Sequence, residues 1–257
     1  MASTSPADSA ILPKERMLRV FAWGVHLYTA LGAALGLLAI HFAATSDFRS
    51  SFIVMAIATV IDSSDGPLAR KFQVKVRVPT FDGTLLDNIV DYLTYTIAPI
   101  FLLLEAGIVR TDFAGLALAS FVAVASAYGF CQTNAKTADH YFLGFPSYWN
   151  LVAFYLYCLG MSLVADYAIL FLFAVMTFIP IKFIYPNRTV PLRPITITFG
   201  IVWGVATISL LFGLPAVNPV LLFISLAYIA YYLLASFGLH AYTIISRNRL
   251  DSARSGG

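Results

Sequence analysis

Four aspartates, Asp62, Asp65, Asp87 and Asp91, sit at the edges of two apolar segments. An aspartate at the centre of a bilayer costs about 2.5–3.5 kcal/mol on insertion scales, so four uncompensated ones would cost on the order of 10 kcal/mol. Something must compensate that charge. If the flanking segments are helical, Asp62 and Asp65 are i,i+3 neighbours, and Gly83, Asp87 and Asp91 follow at i,i+4,i+8 along one face. Two short rows of carboxylate then face each other across a tight connection. Carboxylate oxygens suit hard divalent cations such as Mg²⁺ or Mn²⁺, and four side chains suffice for two ions. Such a pair of ions is suited to phosphoryl transfer, because it neutralises the charge that builds on a pyrophosphate leaving group. Pairing with Arg70, Lys71, Lys75 and Arg77 is the plainer alternative. It explains neither the paired spacings nor the accompanying glycines.

The elements that position these groups must be membrane helices. The chain has 257 residues, 60% hydrophobic and 11% charged, with a mean hydropathy of +0.82. Such a composition excludes a soluble globule with an ordinary polar surface. The apolar runs lack the alternation of barrel strands, so the expected fold is all-α, a polytopic bundle. A formal net charge of +3 is too small to suggest nucleic acid. Cys131 and Cys158 lie inside apolar segments without metal-type spacing, which excludes a disulfide framework or a zinc site as the organising feature.

Eight spans are expected: 20–43, 52 to the Gly66 and Pro67 interruption, 83–104, 113–133, 148–164, a sixth ending near 185, 195–212 and 220–245. Residues 1–12 read as a disordered tail, 13–246 as one membrane domain and 247–257 as a basic tail. The connector between Arg70 and Phe81 alternates charged and apolar side chains, as an interfacial segment or a short surface strand would. With the spans alternating, every Lys and Arg except Arg49 and Arg110 falls on the face shared by both termini. The positive-inside rule makes that face, and the aspartate-bearing connector, cytoplasmic.

Asp62-x-x-Asp65-Gly66-x-x-Ala69-Arg70 followed by Gly83-x-x-x-Asp87-x-x-x-Asp91 resembles the signature of the CDP-alcohol phosphatidyltransferases. Twelve residues separate Arg70 from Gly83, more than in most of that family. The longer connector, with the runs DNIVDYLTY at Asp87 and GFPSYWN at Gly144, is similar to the branch that makes phosphatidylcholine. The charge pattern puts the site on the cytoplasmic side, and the want of an arginine- and serine-rich leader fits a bacterial inner membrane. The resemblance implies transfer of a phosphatidyl group from CDP-diacylglycerol to choline, with CMP leaving and with two divalent ions, Mn²⁺ or Mg²⁺. It assigns Asp62, Asp65, Asp87 and Asp91 to the metal. It assigns Asp65, Gly66, Ala69, Arg70 and Gly83 to the CDP group and Asp91 to the general base. It also implies a homodimer. Beside it, the residues alone do not divide ligand from base, since a carboxylate close to two cations is a poor base unless one oxygen stays free.

A choline acceptor calls for aromatic faces, each worth about 0.5–2 kcal/mol to a quaternary ammonium. Tyr95, Tyr148 and Trp149 are the candidate rings, and an interfacial aromatic belt is the alternative. Asn187 and Arg188, after the sixth span, are candidate phosphate neighbours. The competing readings are the same transfer to serine or glycerol 3-phosphate, or a transporter whose acids relay protons or cations.

Overall fold

The computed structural model describes residues 13–132, 141–184 and 193–255. Two long helices open it, α1 (Pro13–Ala44) and α2 (Phe48–Lys71), packed as a hairpin. Asp47 caps α2 by accepting from the Ser50 N–H at 3.0 Å, and that hydrogen bonding holds its carboxyl below the usual carboxylate range. Helix α2 does not stop at Gly66 and Pro67 as expected but runs on to Lys71. Proline there removes a single hydrogen bond, to the Ser63 carbonyl, in a turn near the helix end. The connector holds no strand: Val74–Arg77 forms a four-residue helical turn, α3, with turns and irregular backbone on either side. Its Val74, with Val78, is buried against Ala22 and Val25 of α1.

The next helix spans 83–105 in three parts: α4 (Gly83–Asp91), a π-helical segment (Tyr92–Ile97) and α5 (Ala98–Glu105). Asp82 starts it, accepting from the Thr84 and Leu85 N–H groups at 3.0 Å each. The π segment precedes Pro99, which has no N–H to offer the Tyr95 carbonyl, so the regular ladder is already broken at that step. On α1, Gly32 and Gly36 lie one turn apart under this helix. A Cβ at Gly32 would sit 2.5 Å from Val90 Cγ1, and one at Gly36 2.6 Å from Leu93 Cγ. Small residues at this spacing let two helices approach closely in lipid. Gly36→Val should therefore push away the helix that carries Asp87 and Asp91, at a cost of about 1–3 kcal/mol. A lowered thermal midpoint in detergent checks this, with Gly204→Ala, which meets nothing within 4 Å, as the unaffected control.

Helix α6 (Phe113–Cys131) leads to β1 (Tyr141–Leu143), then come α7 (Trp149–Leu159), α8 (Leu163–Met176) and β2 (Lys182–Ile184). The strands pair antiparallel, Tyr141 opposite Ile184, in a small ribbon that the sequence reading missed. It corrects both neighbouring spans. The fifth ends at Leu159, where Gly160 takes a left-handed φ of +53°, and the sixth ends at Met176 before Pro180. Helices α9 (Arg193–Gly213) and α10 (Pro219–Ser255) close the bundle, and α10 continues through the segment expected as a basic tail. The expected tail at 1–12 lies outside the described residues.

α1, α2, α6, α9 and α10 are each long and apolar enough to cross a bilayer, and α7 and α8 are shorter apolar helices. Their outward faces are apolar, for example Ile201, Val205 and Ile208 on α9 and Phe223 and Leu234 on α10. Polar side chains instead turn inward. Trp203 Nε1 donates to the Tyr155 hydroxyl at 2.7 Å, Tyr155 hydrogen-bonds Ser225, and Ser225 pairs with Thr207 at 2.9 Å. This chain ties α7, α9 and α10 together where lipid offers no partners.

Candidate metal centre

The cytoplasm-facing end expected from the charge pattern is where α2 nears its C-terminus and α4 begins. There the carboxylates of Asp62, Asp87 and Asp91 converge, one oxygen from each lying within 4.8 Å of the others. Asp87 and Asp91 share a face of α4 because they are four residues apart, and Asp62 reaches across from α2. Tyr95 completes the arrangement. Its hydroxyl donates to Asp62 Oδ2 at 2.7 Å, and the wider π turn sets the phase that carries it there.

Asp65 is not a member of this three-carboxylate group. It is 6% exposed, and its Oδ2 accepts from the Thr29 hydroxyl of α1 at 2.7 Å. Three residues along α2 displace its side chain by roughly 4.5 Å and 60° from Asp62, enough to face a different neighbour. Four converging carboxylates were expected; three converge, and the fourth is held beside them by α1.

Helix α1 is the contributor that sequence reasoning missed. Besides Thr29 it supplies Tyr28, hydrogen-bonded to Ser64 at 2.9 Å, and His26, whose ring lies 4.4 Å from that of Phe81. His26 is buried, and its Nε2 has no hydrogen-bond partner among the described residues. The available signal was these polar side chains grouped within an otherwise apolar span.

The glycines differ. A Cβ at Gly83 would meet His26 Cε1 at 2.6 Å, so the start of α4 is glycine for packing against α1. A Cβ at Gly66 would meet only Arg70 Nη1, at 3.5 Å. Among the described residues no atom requires glycine at 66, and the space there adjoins an exposed guanidinium. Ala69 packs against the small cluster of Ala22, Val25, Val74 and Val78. Arg77 turns to Glu15 at 3.6 Å and donates to the Phe72 carbonyl at 2.6 Å.

The three proposed rings part company. Tyr148 is half-buried, its ring 6.2 Å from that of Tyr95, whose hydroxyl donates to Asp62. Trp149 is 0% exposed, with Nε1 donating to Ser126 at 2.6 Å and its ring edge-on to Phe145. Trp149 is thus part of the core. Asn187 and Arg188 lie outside the described residues.

Three acidic oxygens this close would repel strongly in a low-dielectric setting unless a cation lay between them. Their hardness and number fit a divalent ion that keeps water or substrate oxygens as further ligands.

Residues 25–181 match the family model described as CDP-alcohol phosphatidyltransferase, a family of divalent-metal enzymes acting on CDP-linked substrates at membranes. The chain is 39% identical over 223 residues to the phosphatidylcholine synthase of Legionella pneumophila, covering 84% of this chain and 87% of that one. It is 36% identical to the phosphatidylcholine synthase of Pseudomonas aeruginosa over 82% of this chain and 88% of that one. With the phosphatidylcholine synthase of Borreliella burgdorferi it shares 35% identity over 232 residues, 90% of this chain and 97% of the relative.

Proposed function

The chain belongs to the CDP-alcohol phosphatidyltransferase family, and from that premise we propose that it transfers the phosphatidyl group of CDP-diacylglycerol to choline, giving phosphatidylcholine and CMP. The observation that carries this is the convergence of Asp62, Asp87 and Asp91, with Gly66 and Arg70 following Asp62 at i+4 and i+8 along α2. Relatives named phosphatidylcholine synthase, matched along nearly their whole length, support choline as the acceptor.

In this reading Asp62, Asp87 and Asp91 hold divalent metal, Mn²⁺ or Mg²⁺, with Asp65 available to a second ion. Bound metal supplies positive charge to the pyrophosphate oxygens, which favours departure of CMP. Arg70 meets a donor phosphate through its guanidinium fork, and Gly66 lets the backbone approach the nucleotide. Gly83 and Ala69 shape that wall by keeping α1 and the connector close. Asp91 takes the proton from the choline hydroxyl as its oxygen bonds to phosphorus and the bond from phosphorus to the CMP oxygen breaks. Tyr95 orients Asp62, and Tyr148 offers a ring face to the trimethylammonium group. The charge pattern supports a site on the cytoplasmic side of a bacterial inner membrane, where CDP-lipid and choline both arrive. The family resemblance supports a homodimer.

Release of CMP from CDP-diacylglycerol in detergent, with a panel of choline, serine and glycerol 3-phosphate, tests the reading. Choline should be the productive acceptor. Release with serine alone would move the acceptor, and none with any alcohol would favour ion transport. In the same assay Tyr148→Leu should raise the choline KM by about 2- to 30-fold, the range of one cation–π contact, with little change in the CDP-lipid KM. Equal effects on both would return Tyr148 to an interfacial belt.

A further inference from the structure

At the opposite end of the bundle from the aspartates, α5, α7 and α8 leave a cleft of about 350 Å³, lined in part by Gly107, Arg110, Tyr157, Met161 and Asp166. It begins where α5 ends. At 1.5 Å per helical residue, Ala106 lies roughly 22 Å along the helix from Asp91. The cleft is therefore separate from the transfer chemistry, and the charge pattern puts it on the non-cytoplasmic face.

Asp166 is the group without an explanation. It is 4% exposed, and its Oδ1 has no hydrogen-bond partner among the described residues. Buried carboxylates are ordinarily paired, hydrogen-bonded or bound to a cation. Its place in the first turn of α8 brings it the helix dipole, a stabilisation of only about 0.3–1 kcal/mol. Arg110 stands exposed at the same cleft, its backbone N–H bound to the Tyr167 hydroxyl at 3.0 Å, which fixes the loop. The two side chains share the cleft but form no salt bridge with each other. A carboxylate and a guanidinium held apart in one cavity leave room for one group of each sign between them. The Tyr157 ring adds an apolar wall that suits an alkylated ammonium.

We propose that this cleft binds a zwitterion of headgroup size, with its ammonium at Asp166 and Tyr157 and its phosphate or carboxylate at Arg110. The volume falls within the range of small-ligand sites. Two sources carry that chemistry: the headgroup of a zwitterionic phospholipid in the facing leaflet, and a free solute of the phosphocholine type.

The test is equilibrium binding of radiolabelled phosphocholine and of dihexanoyl phosphatidylcholine to the purified full-length protein in detergent. Saturable binding is expected, with choline alone and inorganic phosphate alone competing at least about tenfold more weakly, because each satisfies only one of the two charges. Asp166→Asn and Arg110→Gln should each weaken binding by about tenfold or more while CMP release stays unchanged. Tighter binding of the lipid identifies the headgroup source, and tighter binding of phosphocholine the solute. Absence of saturable binding, or binding that Asp166→Asn leaves intact and Asp91→Asn abolishes, overturns the proposal, the latter because it places both probes at the transfer site. Should Asp166→Asn not fold, carbodiimide labelling of Asp166 in the wild-type protein, read by peptide mass spectrometry, decides. Phosphocholine should slow it about tenfold; labelling at an unchanged rate counts against the site.

Discussion

Asp91→Asn should abolish measurable phosphatidyl transfer, by about 10²–10⁴ if the carboxylate acts only as general base. The substitution is isosteric, and Asp91 sits on a helix held by the Asp82 cap and by Gly32 and Gly36 beneath it. Size-exclusion behaviour and CDP-diacylglycerol binding should therefore stay near wild type while CMP release collapses. Its two possible roles separate on metal titration. A missing ligand weakens metal binding and is partly recovered at high Mn²⁺, whereas a missing proton acceptor is not. Turnover retained at ordinary metal concentration would remove Asp91 from both.

Chelation is the second large effect. EDTA should reduce CMP release to background, and Mn²⁺ or Mg²⁺ should restore it, because Asp62, Asp87 and Asp91 offer oxygens to a cation within a 4.8 Å cluster. The structure makes this prediction sharper than the sequence could. Asp62→Asn and Asp87→Asn should each raise the metal concentration for half-maximal activity by about a hundredfold, since loss of groups that merely orient a ligand already costs about 10- to 100-fold. Asp65→Asn should raise it less, because Asp65 is bound to Thr29 and stands outside the cluster. Equal shifts for all four aspartates would show that Asp65 swings in when metal binds. Undiminished activity in EDTA would sink the metal reading altogether.

How far the sequence could be read follows from the kind of signal each feature leaves. The class of fold, a helical membrane bundle, was legible because hydrocarbon admits few backbone structures, and a run of about 20 apolar residues has one use. The pairing of Asp87 with Asp91 was legible because a spacing of four on a helix is a geometric statement. Helix ends were less so. Gly66 and Pro67 look like a stop, yet α2 continues past both, while the true stop at Gly160 was passed over. Loss of one hydrogen bond near a helix end is tolerable when the helix is packed on a partner, as α2 is on α1. The ribbon of β1 and β2 was hidden because a three-residue strand has no periodicity to detect, and its partner lies some forty residues away.

What the amino-acid sequence determined by itself is the class of molecule and the identity of its acidic residues: apolar runs require membrane helices, and carboxylates placed at their edges require compensation. Which of those acids meet was decided only by the tertiary structure. Asp62 and Asp65 look equivalent in the sequence, but α1 offers a hydroxyl to one and the π turn of the next helix offers the Tyr95 hydroxyl to the other. Trp149 and Tyr148 are likewise adjacent in the chain, yet one is sealed in the core and the other faces Tyr95. The physical reason is the same in both cases. Spacing along a chain sets the direction of a side chain relative to its own helix, whereas the partner it meets is set by packing against other helices.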